Sequence, residues 1–254
     1  GGQGCTTPKP PLPYDCNAGF NNWQAGWSAG KKAWCCTHAS RGCAPVSKLC
    51  TLWGDPHIMS FDQMDTDKNK AYSFYGDGDF WLVKSSAVSI QARFEGTKYT
   101  EGLAATNQIV VGGAFLHGHK IEVGTLDSGI LTVDGQKVIA GFPGAYHQAG
   151  WSVTYDGQGA VPDVIPEGNE KRVVHMDLPL GVKVTVFQWS NYMDVQIEMS
   201  KQPGQDGVCG NFNDNQGDDT TQAIMARIGA RVRPGEGLLS GAALIEWTPQ
   251  MNQM

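Results

Sequence analysis

Short runs in which apolar and polar residues alternate fill the middle of the chain, from about residue 71 to residue 199. Eleven such runs occur, among them "AVSIQARF", "GVKVTVFQW" and "MDVQIEM". Alternation with period two is typical of strands, because successive side chains point to opposite faces. Turn signals separate the runs: "GDGD" at 76–79, "YDGQG" at 155–159, and Asp134-Gly135 as a two-residue hairpin between "GILTV" and "QKVIA". The pattern predicts a mainly β protein, built as an antiparallel β-sandwich.

One helical pattern follows the strands. The stretch "DDTTQAIMARIGARVR", residues 218–233, offers Thr or Asp as the N-cap and places Ile224, Ile228 and Val232 four residues apart. This spacing predicts a C-terminal helix with one apolar face against the sheets. "RPGEG" then ends the helix, and residues 236–254 form a C-terminal extension.

The start of the chain differs in composition. Residues 1–15 include "TTPKPPLP" and predict an extended proline-rich linker, and residues 16–49 are a Cys/Trp-rich mini-domain. This mini-domain has few aliphatic residues, so bridges and its tryptophans Trp23, Trp27 and Trp34 should hold it together. The same three rings could instead form a stacking platform for sugars. We favour a role in the core and keep carbohydrate binding as an alternative.

Charge and composition narrow the function classes. The 254-residue chain is 41% hydrophobic, enough for a substantial core, and its net charge is −6. It has no Lys/Arg cluster, so nucleic acid is not expected as a partner, and no apolar run is long enough to span a membrane. Because the chain starts Gly-Gly, we interpret it as a processed product or a piece of a longer protein. No catalytic motif is present, and we expect no enzyme activity.

Six of the seven cysteines lie in the first fifth of the chain, and Cys209 stands near the other end. Dense cysteines in a short Gly/Pro-rich stretch indicate disulfides and an oxidising compartment. No CxxC or HxxxH spacing supports zinc.

A polar loop surrounds the distant cysteine. In "GVCGNFNDNQGDD", residues 207–219, the residues Asn211, Asn213 and Asn215 alternate, and Gly217, Asp218 and Asp219 follow. Alternating oxygen-bearing side chains suit calcium, which takes six to eight oxygens. The loop lacks the Gly and Glu positions of an EF-hand. Taken alone, it is more typical of a solvated turn.

A second stretch, "CTLWGDPHIMSFD" at residues 50–62, changes this interpretation. Together with the loop it resembles the two hallmarks of the von Willebrand factor type D domain: Cys, Gly-Asp-Pro-His and Phe-Asp-Gly at the start, and Gly-Leu-Cys-Gly-Asn-Phe with an acidic loop at the end. The resemblance covers about residues 50–235. It implies a calcium site made by Asp55, Asn211, Asn213, Asp218, Asp219 and the main-chain carbonyl of Asn215. It also implies a bridge between Cys50 and Cys209.

That bridge would leave five thiols. The quartet Cys16, Cys35, Cys36 and Cys43 can then form two bridges in any of three connectivities. Cys5 remains, and we expect it to bond to another module or another chain.

The sequence departs from the family at two places. Disulfide-shuffling members carry Cys-Gly-Leu-Cys, whereas Asp206 stands at the first of these positions, so exchange chemistry is not expected. Gln63 replaces the Gly of Phe-Asp-Gly, and Asp65, Asp67 and Asn69 then alternate with lysines, which we interpret as a solvated loop.

Asp55-Pro56 is an acid-labile peptide bond at which some members of the family cleave themselves. We favour a structural role for both residues, with Asp55 as a calcium ligand and Pro56 shaping the turn. If cleavage occurred, the implied bridge would keep the two pieces joined.

The sequence therefore predicts a secreted or cell-surface structural or adhesive module, stabilised by Ca²⁺ and disulfides. We expect it to be a unit of a larger surface, matrix or glycoprotein assembly, with other protein modules, copies of itself or glycans as partners. A lipid-carrying domain is a third possibility and would need a large apolar cavity.

Overall fold

The computed structural model of the protein describes residues 13–63, 70–74, 76–97, 101–157, 172–227, 232–233 and 235–239. The chain divides into two compact units, Gly1–Pro45 and Val46–Met254. The predicted boundary after residue 49 falls inside the first strand, because Ser47 already pairs with Ser200. Cys5 and the Asp65–Asn69 stretch lie outside the described residues.

The described residues of the first unit contain two helices and two bridges. The helices are α1 (Trp23–Gly26) and α2 (Ala29–Ala39), preceded by a single 3₁₀ turn, Phe20–Asn22. Ser28 caps α2, since its hydroxyl accepts a hydrogen bond from the Lys31 N–H at 3.3 Å. Of the three connectivities open to the cysteine quartet, the structure has Cys16–Cys35 and Cys36–Cys43.

Trp27 forms the centre of this small unit. Its ring is buried, and its indole N–H donates to the Ala18 carbonyl at 2.9 Å. Gly42 lies against the ring, and a Cβ there would approach a Trp27 ring carbon to 2.7 Å. A tryptophan that replaces an aliphatic core has this close packing. The role in the core that the sequence favoured therefore holds for Trp27.

In its described residues the second unit is mainly β and has thirteen strands. Their bounds are β1 (Ser47–Trp53), β2 (His57–Met59), β3 (Tyr72–Ser73), β4 (Gly78–Lys84), β5 (Ser89–Gly96), β6 (Ala104–Gly112), β7 (Ile121–Gly124), β8 (Leu131–Val133), β9 (Gly144–Gln148), β10 (Trp151–Asp156), β11 (Arg172–Asp177), β12 (Lys183–Gln188) and β13 (Met193–Ser200). All strand pairs are antiparallel. An eight-stranded sheet has the order β3-β2-β1-β13-β12-β11-β10-β9, and a five-stranded sheet has the order β4-β5-β6-β7-β8.

The two sheets share one hydrophobic core. It includes Val184 and Ile197 from the large sheet together with Ile90, Val111 and Val123 from the small one. This arrangement confirms the mainly β fold with two antiparallel sheets. The central pairing of the large sheet joins β1 to β13, whose partners stand about 150 residues apart, as in Cys50 opposite Ile197.

One strand predicted from the sequence is absent, and one strand of the structure was not predicted. "QKVIA" is not a strand: after the Asp134-Gly135 turn a single bridge joins Val133 to Gln136. The strand here is β9, an edge strand that the pattern missed because three of its five residues are exposed.

The C-terminal helix is present but shorter than expected. It is α3 (Thr221–Ala226), and the hydroxyl of Thr220 caps it by accepting from the Ala223 N–H at 3.2 Å. It ends because Arg227 adopts an extended backbone. Ile224 packs in the core as predicted, Val232 is buried beyond the helix, and Ile228 lies outside the described residues. None of the helices in the described part of the chain has the length and apolar character that a membrane crossing requires.

Candidate metal centre

The polar loop at residues 207–219 is fixed to both sheets at its start. Cys209 is bonded to Cys50 of β1 in the large sheet. On the other side, the Val208 and Cys209 N–H groups donate to the Trp81 and Leu82 carbonyls of β4 at 2.8 and 3.0 Å. Gly207 is required there, because a Cβ would lie 2.4 Å from the Leu82 carbonyl oxygen. The bridge that the resemblance implies thus anchors the loop where the two sheets meet.

Asp62 shapes the loop from the first motif. Its carboxylate is fully buried and accepts the N–H groups of Phe212 and Asp214, each at 2.8 Å. Both of those residues have positive φ, 61° and 63°, a conformation that such hydrogen bonds help to hold. The ring of Phe61 packs against that of Phe212, with the two ring centroids 5.0 Å apart. The Phe-Asp pair after β2 therefore organises the loop backbone.

Asp219 is the second buried carboxylate. Its Oδ2 accepts from the Ser60 hydroxyl at 2.5 Å, and its Oδ1 lies 3.3 Å from both terminal nitrogens of Arg227. Burial raises the pKa of Asp219 to about 6; the charge of Asp62 adds to the rise, while Ser60 and Arg227 oppose it. The two carboxylates are close neighbours, since a Cβ at Gly210 would lie 2.6 Å from Asp219 Oδ2 and 2.9 Å from Asp62 Oδ2.

The alternating asparagines gather around Asp218. The side-chain amides of Asn211 and Asn213 donate to Asp218 Oδ2 at 3.3 and 2.7 Å. Asn213 Oδ1 accepts the Asn215 N–H at 2.7 Å, and Asn215 Oδ1 accepts the Gly217 N–H at 3.1 Å. Asn211 Oδ1 and Asp218 Oδ1 are buried and find no hydrogen-bond partner within the described ranges. Two buried oxygens without donors, on side chains that contact each other, are an arrangement that a cation would satisfy.

Hydrogen bonds thus link four of the six predicted ligands: Asn211, Asn213, Asn215 and Asp218. Asp219 follows in the same loop, but its carboxylate contacts Ser60 and Arg227. Asp55 lies elsewhere, in the turn between β1 and β2, with its Oδ1 3.1 Å from His57 Nδ1. The acid that the first motif brings to the loop is Asp62, which lies past the other end of β2. The sequence signal for Asp62 is the Phe-Asp pair of the first motif, but the motif alone does not show that this acid reaches the loop.

A cleft of about 410 Å³ lies beside Asp219 and is lined by Ser60, Lys70, Tyr72, Gln216 and Thr220 among others. Across the residues that the structure describes, no three His, Cys, Asp or Glu side chains are grouped to hold a metal. The oxygens available here are carboxylates, asparagine amides and main-chain carbonyls, which suit a hard cation rather than zinc.

A third buried carboxylate, Asp194 on β13, fixes the turn that carries Asp55-Pro56. It accepts the Gly54 N–H at 2.9 Å and the Trp189 indole N–H at 2.7 Å. Burial raises the pKa of Asp194 from 3.8 to about 6, against the effect of these two hydrogen bonds.

This pKa has a consequence for stability. A raised folded-state pKa means that the folded protein binds the proton more tightly, so the contribution of Asp194 is present at low pH and is lost as the pH rises from about 4 to about 6. The free energy of unfolding should fall by roughly 3 kcal/mol over this pH range, and Asp194→Asn should abolish this pH dependence. Urea unfolding between pH 4 and pH 7 measures the difference between the two proteins. Parallel pH profiles for both would contradict the prediction.

Comparison with known protein families gives a match that covers both motifs. A model of the von Willebrand factor type D domain matches residues 50–224, more than half of the chain. The match begins at Cys50 of β1 and ends at Ile224 of α3. It therefore includes strands of both sheets and the whole polar loop at residues 207–219. No curated protein sequence matches the chain.

Proposed function

Because the chain belongs to the von Willebrand factor type D domain family, we propose that it is an extracellular structural or adhesive module whose β unit is stabilised by Ca²⁺. Family membership and three disulfides fit the extracellular, structural part of this proposal. Domains of this family mediate protein interactions, so other protein modules or further copies of the chain are the expected partners.

The calcium part rests on one observation. Asn211 Oδ1 and Asp218 Oδ1 are both buried and lack a donor within the described part of the chain, and the Asn211 amide nitrogen contacts the Asp218 carboxylate. The loop that carries them also contains the buried carboxylate of Asp219 and is held by that of Asp62. We take Asn211, Asn213 and Asp218 as ligands, with Asp62 and Asp219 available from the buried side.

The charges in this region support a cation. Asp62, Asp218 and Asp219 lie on or against the loop, and Asp206 lies beside it, paired with Arg227 at 2.8 Å. Arg227 also contacts Asp219, and Lys48 lies 3.8 Å from Asp62. Asp214, also in the loop, pairs with Lys48. Five carboxylates against two basic residues leave an excess of negative charge, which a divalent ion would reduce. The ion supplies charge compensation, and the chain supplies a loop already bent into a ligand-bearing shape.

Calcium should therefore raise the melting temperature of the protein. At a concentration 100-fold above the dissociation constant, binding adds about 2.7 kcal/mol, or about 5–10 °C for a domain of this size. Asp218→Asn should remove most of this increase, because it removes the negative charge from one of the two unpartnered groups. Differential scanning calorimetry with millimolar calcium or with a chelator measures both effects.

Asp214→Asn is the matched control. Asp214 belongs to the same loop, but its side chain is 70% exposed and pairs with Lys48. The control should keep the calcium response. Equal melting temperatures with calcium and with chelator would contradict the calcium proposal and leave the structural role standing.

The proposed assembly involves Cys5. The other six cysteines pair within the chain, which leaves this one for a bond to another module or another copy. The intact mass of the native material before and after reduction separates a linked assembly from a single chain.

The structure offers less for the other two candidate functions. A sugar platform would need Trp23, Trp27 and Trp34 together on a surface, but Trp27 is buried and Trp34 stacks on His38 at 4.4 Å. Lipid carriage would need a large apolar cavity, and two clefts described in the β unit, of about 210 and 410 Å³, are lined by polar as well as apolar residues.

A further inference from the structure

We propose that a cleft between the two sheets, remote in sequence from the acidic loop, binds a small aromatic molecule that carries an N–H or O–H donor. The cleft measures about 210 Å³. It lies between Leu131 of β8 in the small sheet and Tyr155 of β10 and Gln188 of β12 in the large sheet. The turn after β7 and the segment between β8 and β9 close its sides.

Gln188 provides the polar anchor. The residue is 4% exposed, and its Nε2 donates to the Gly124 carbonyl at 2.5 Å, which fixes the orientation of the amide. Its Oε1 is buried and accepts no hydrogen bond from the described residues. A buried acceptor without a donor is unfavourable, and a ligand that donates to it would remove that penalty.

The walls define the rest of the ligand. Ile130, Leu131 and Ile139 provide apolar surface, and Phe142 closes the cleft at its outer side. Phe142 is 38% exposed, meets Tyr155 edge to face with ring centroids 5.0 Å apart, and has the Arg172 guanidinium 3.6 Å from its own ring centroid. These two contacts hold the ring in place, and its remaining exposed surface can receive another aromatic ring.

The volume and the charge of the cleft narrow the class of ligand further. A cavity of about 150 Å³ accommodates benzene, so 210 Å³ has room for one or two fused rings and not for a lipid. Lys137 is the charged residue that lines the cleft. A neutral or anionic bicyclic molecule with one donor matches this lining, whereas a cationic ligand would be repelled.

Indole and benzothiophene test the proposal, because the two have nearly the same shape and differ in the N–H. Isothermal titration calorimetry on the full chain should show saturable binding of indole. Benzothiophene should bind about three- to tenfold more weakly, the effect of one hydrogen bond. Gln188→Met should make the two affinities equal. Phe142→Ala should weaken both without unfolding the protein, since this side chain is partly exposed.

Leu180→Ala is the control variant. Leu180 is 55% exposed and lies in the turn between β11 and β12, at the opposite end of that hairpin from Gln188. It should bind indole as the wild type does. If indole does not bind at millimolar concentration, or if neither Phe142→Ala nor Gln188→Met changes the affinities, the proposal is wrong. Circular dichroism of each variant separates loss of the cleft from loss of the fold.

Discussion

Replacing Cys50 and Cys209 together by alanine is expected to lower the free energy of unfolding of the β unit by about 5 kcal/mol. The bridge closes a loop of 159 residues, and the chain-entropy model gives about this value for such a loop. Both cysteines are fully buried, so the alanines introduce no polar group into the core. The melting temperature should fall by about 10–20 °C, measured by circular dichroism under oxidising conditions.

The Cys36–Cys43 bridge is the control for this prediction. It closes a loop of 7 residues in the first unit, for which the same model gives about 2 kcal/mol. Cys36→Ala with Cys43→Ala should therefore leave the transition of the β unit unchanged. A Cys50→Ala/Cys209→Ala variant with an unaltered melting temperature would show that strand pairing alone holds β1 and the loop together.

Asp79→Ala is expected to destabilise the β unit by about 3–5 kcal/mol. Asp79 and Arg93 are direct neighbours across β4 and β5, and the guanidinium donates from Nε and Nη2 to the two carboxylate oxygens at 2.9 and 3.1 Å. The aspartate side chain is fully buried. Its hydrogen bonds with the guanidinium raise the pKa of Arg93 above the usual value of an arginine. Removing Asp79 takes away both hydrogen-bond acceptors of a partly buried guanidinium and leaves it the charge of Glu95 alone, which is costly.

A double-mutant cycle tests this interpretation. Asp79→Leu with Arg93→Met should recover most of the lost stability, since an apolar pair of similar volume avoids the cost of burying charge. Urea unfolding of the wild type, both single variants and the double variant gives the coupling energy. If Asp79→Ala unfolds like the wild type, the pair contributes as little as an exposed surface pair does.

Much of the strand content of the fold could be predicted because apolar residues recur at the buried positions of the strands. Alternation in "AVSIQARF" and "GVKVTVFQW" marks β5 and β12 correctly. It failed for β9, where exposure on both faces leaves no apolar period, and for "QKVIA", where a buried Ile139 belongs to a connection and not to a strand. Local pattern reports burial and cannot distinguish a strand from an irregular segment that packs on the core.

The candidate metal centre could be predicted in part. The loop residues Asn211, Asn213 and Asp218 lie within eight positions of one another in the sequence, so their proximity follows from the chain. The assignment of Asp55 rested on the resemblance, but which acid of the first motif meets the loop depends on the length and direction of β2. That strand carries Asp62 to the loop and leaves Asp55 at its other end. Residue type alone could not make that choice.

The pairing of β1 with β13 imposes an order on the maturation of the chain. During synthesis β1 is made long before its partner, so its edge stays open and the Cys50 thiol stays unpaired until residue 209 has been made. The quartet needs loops of only 19 and 7 residues, so its thiols can be consumed early. Early closure of the small unit removes four competitors for Cys50. The N-terminal unit would thus protect the last bridge from mispairing while the β domain is completed.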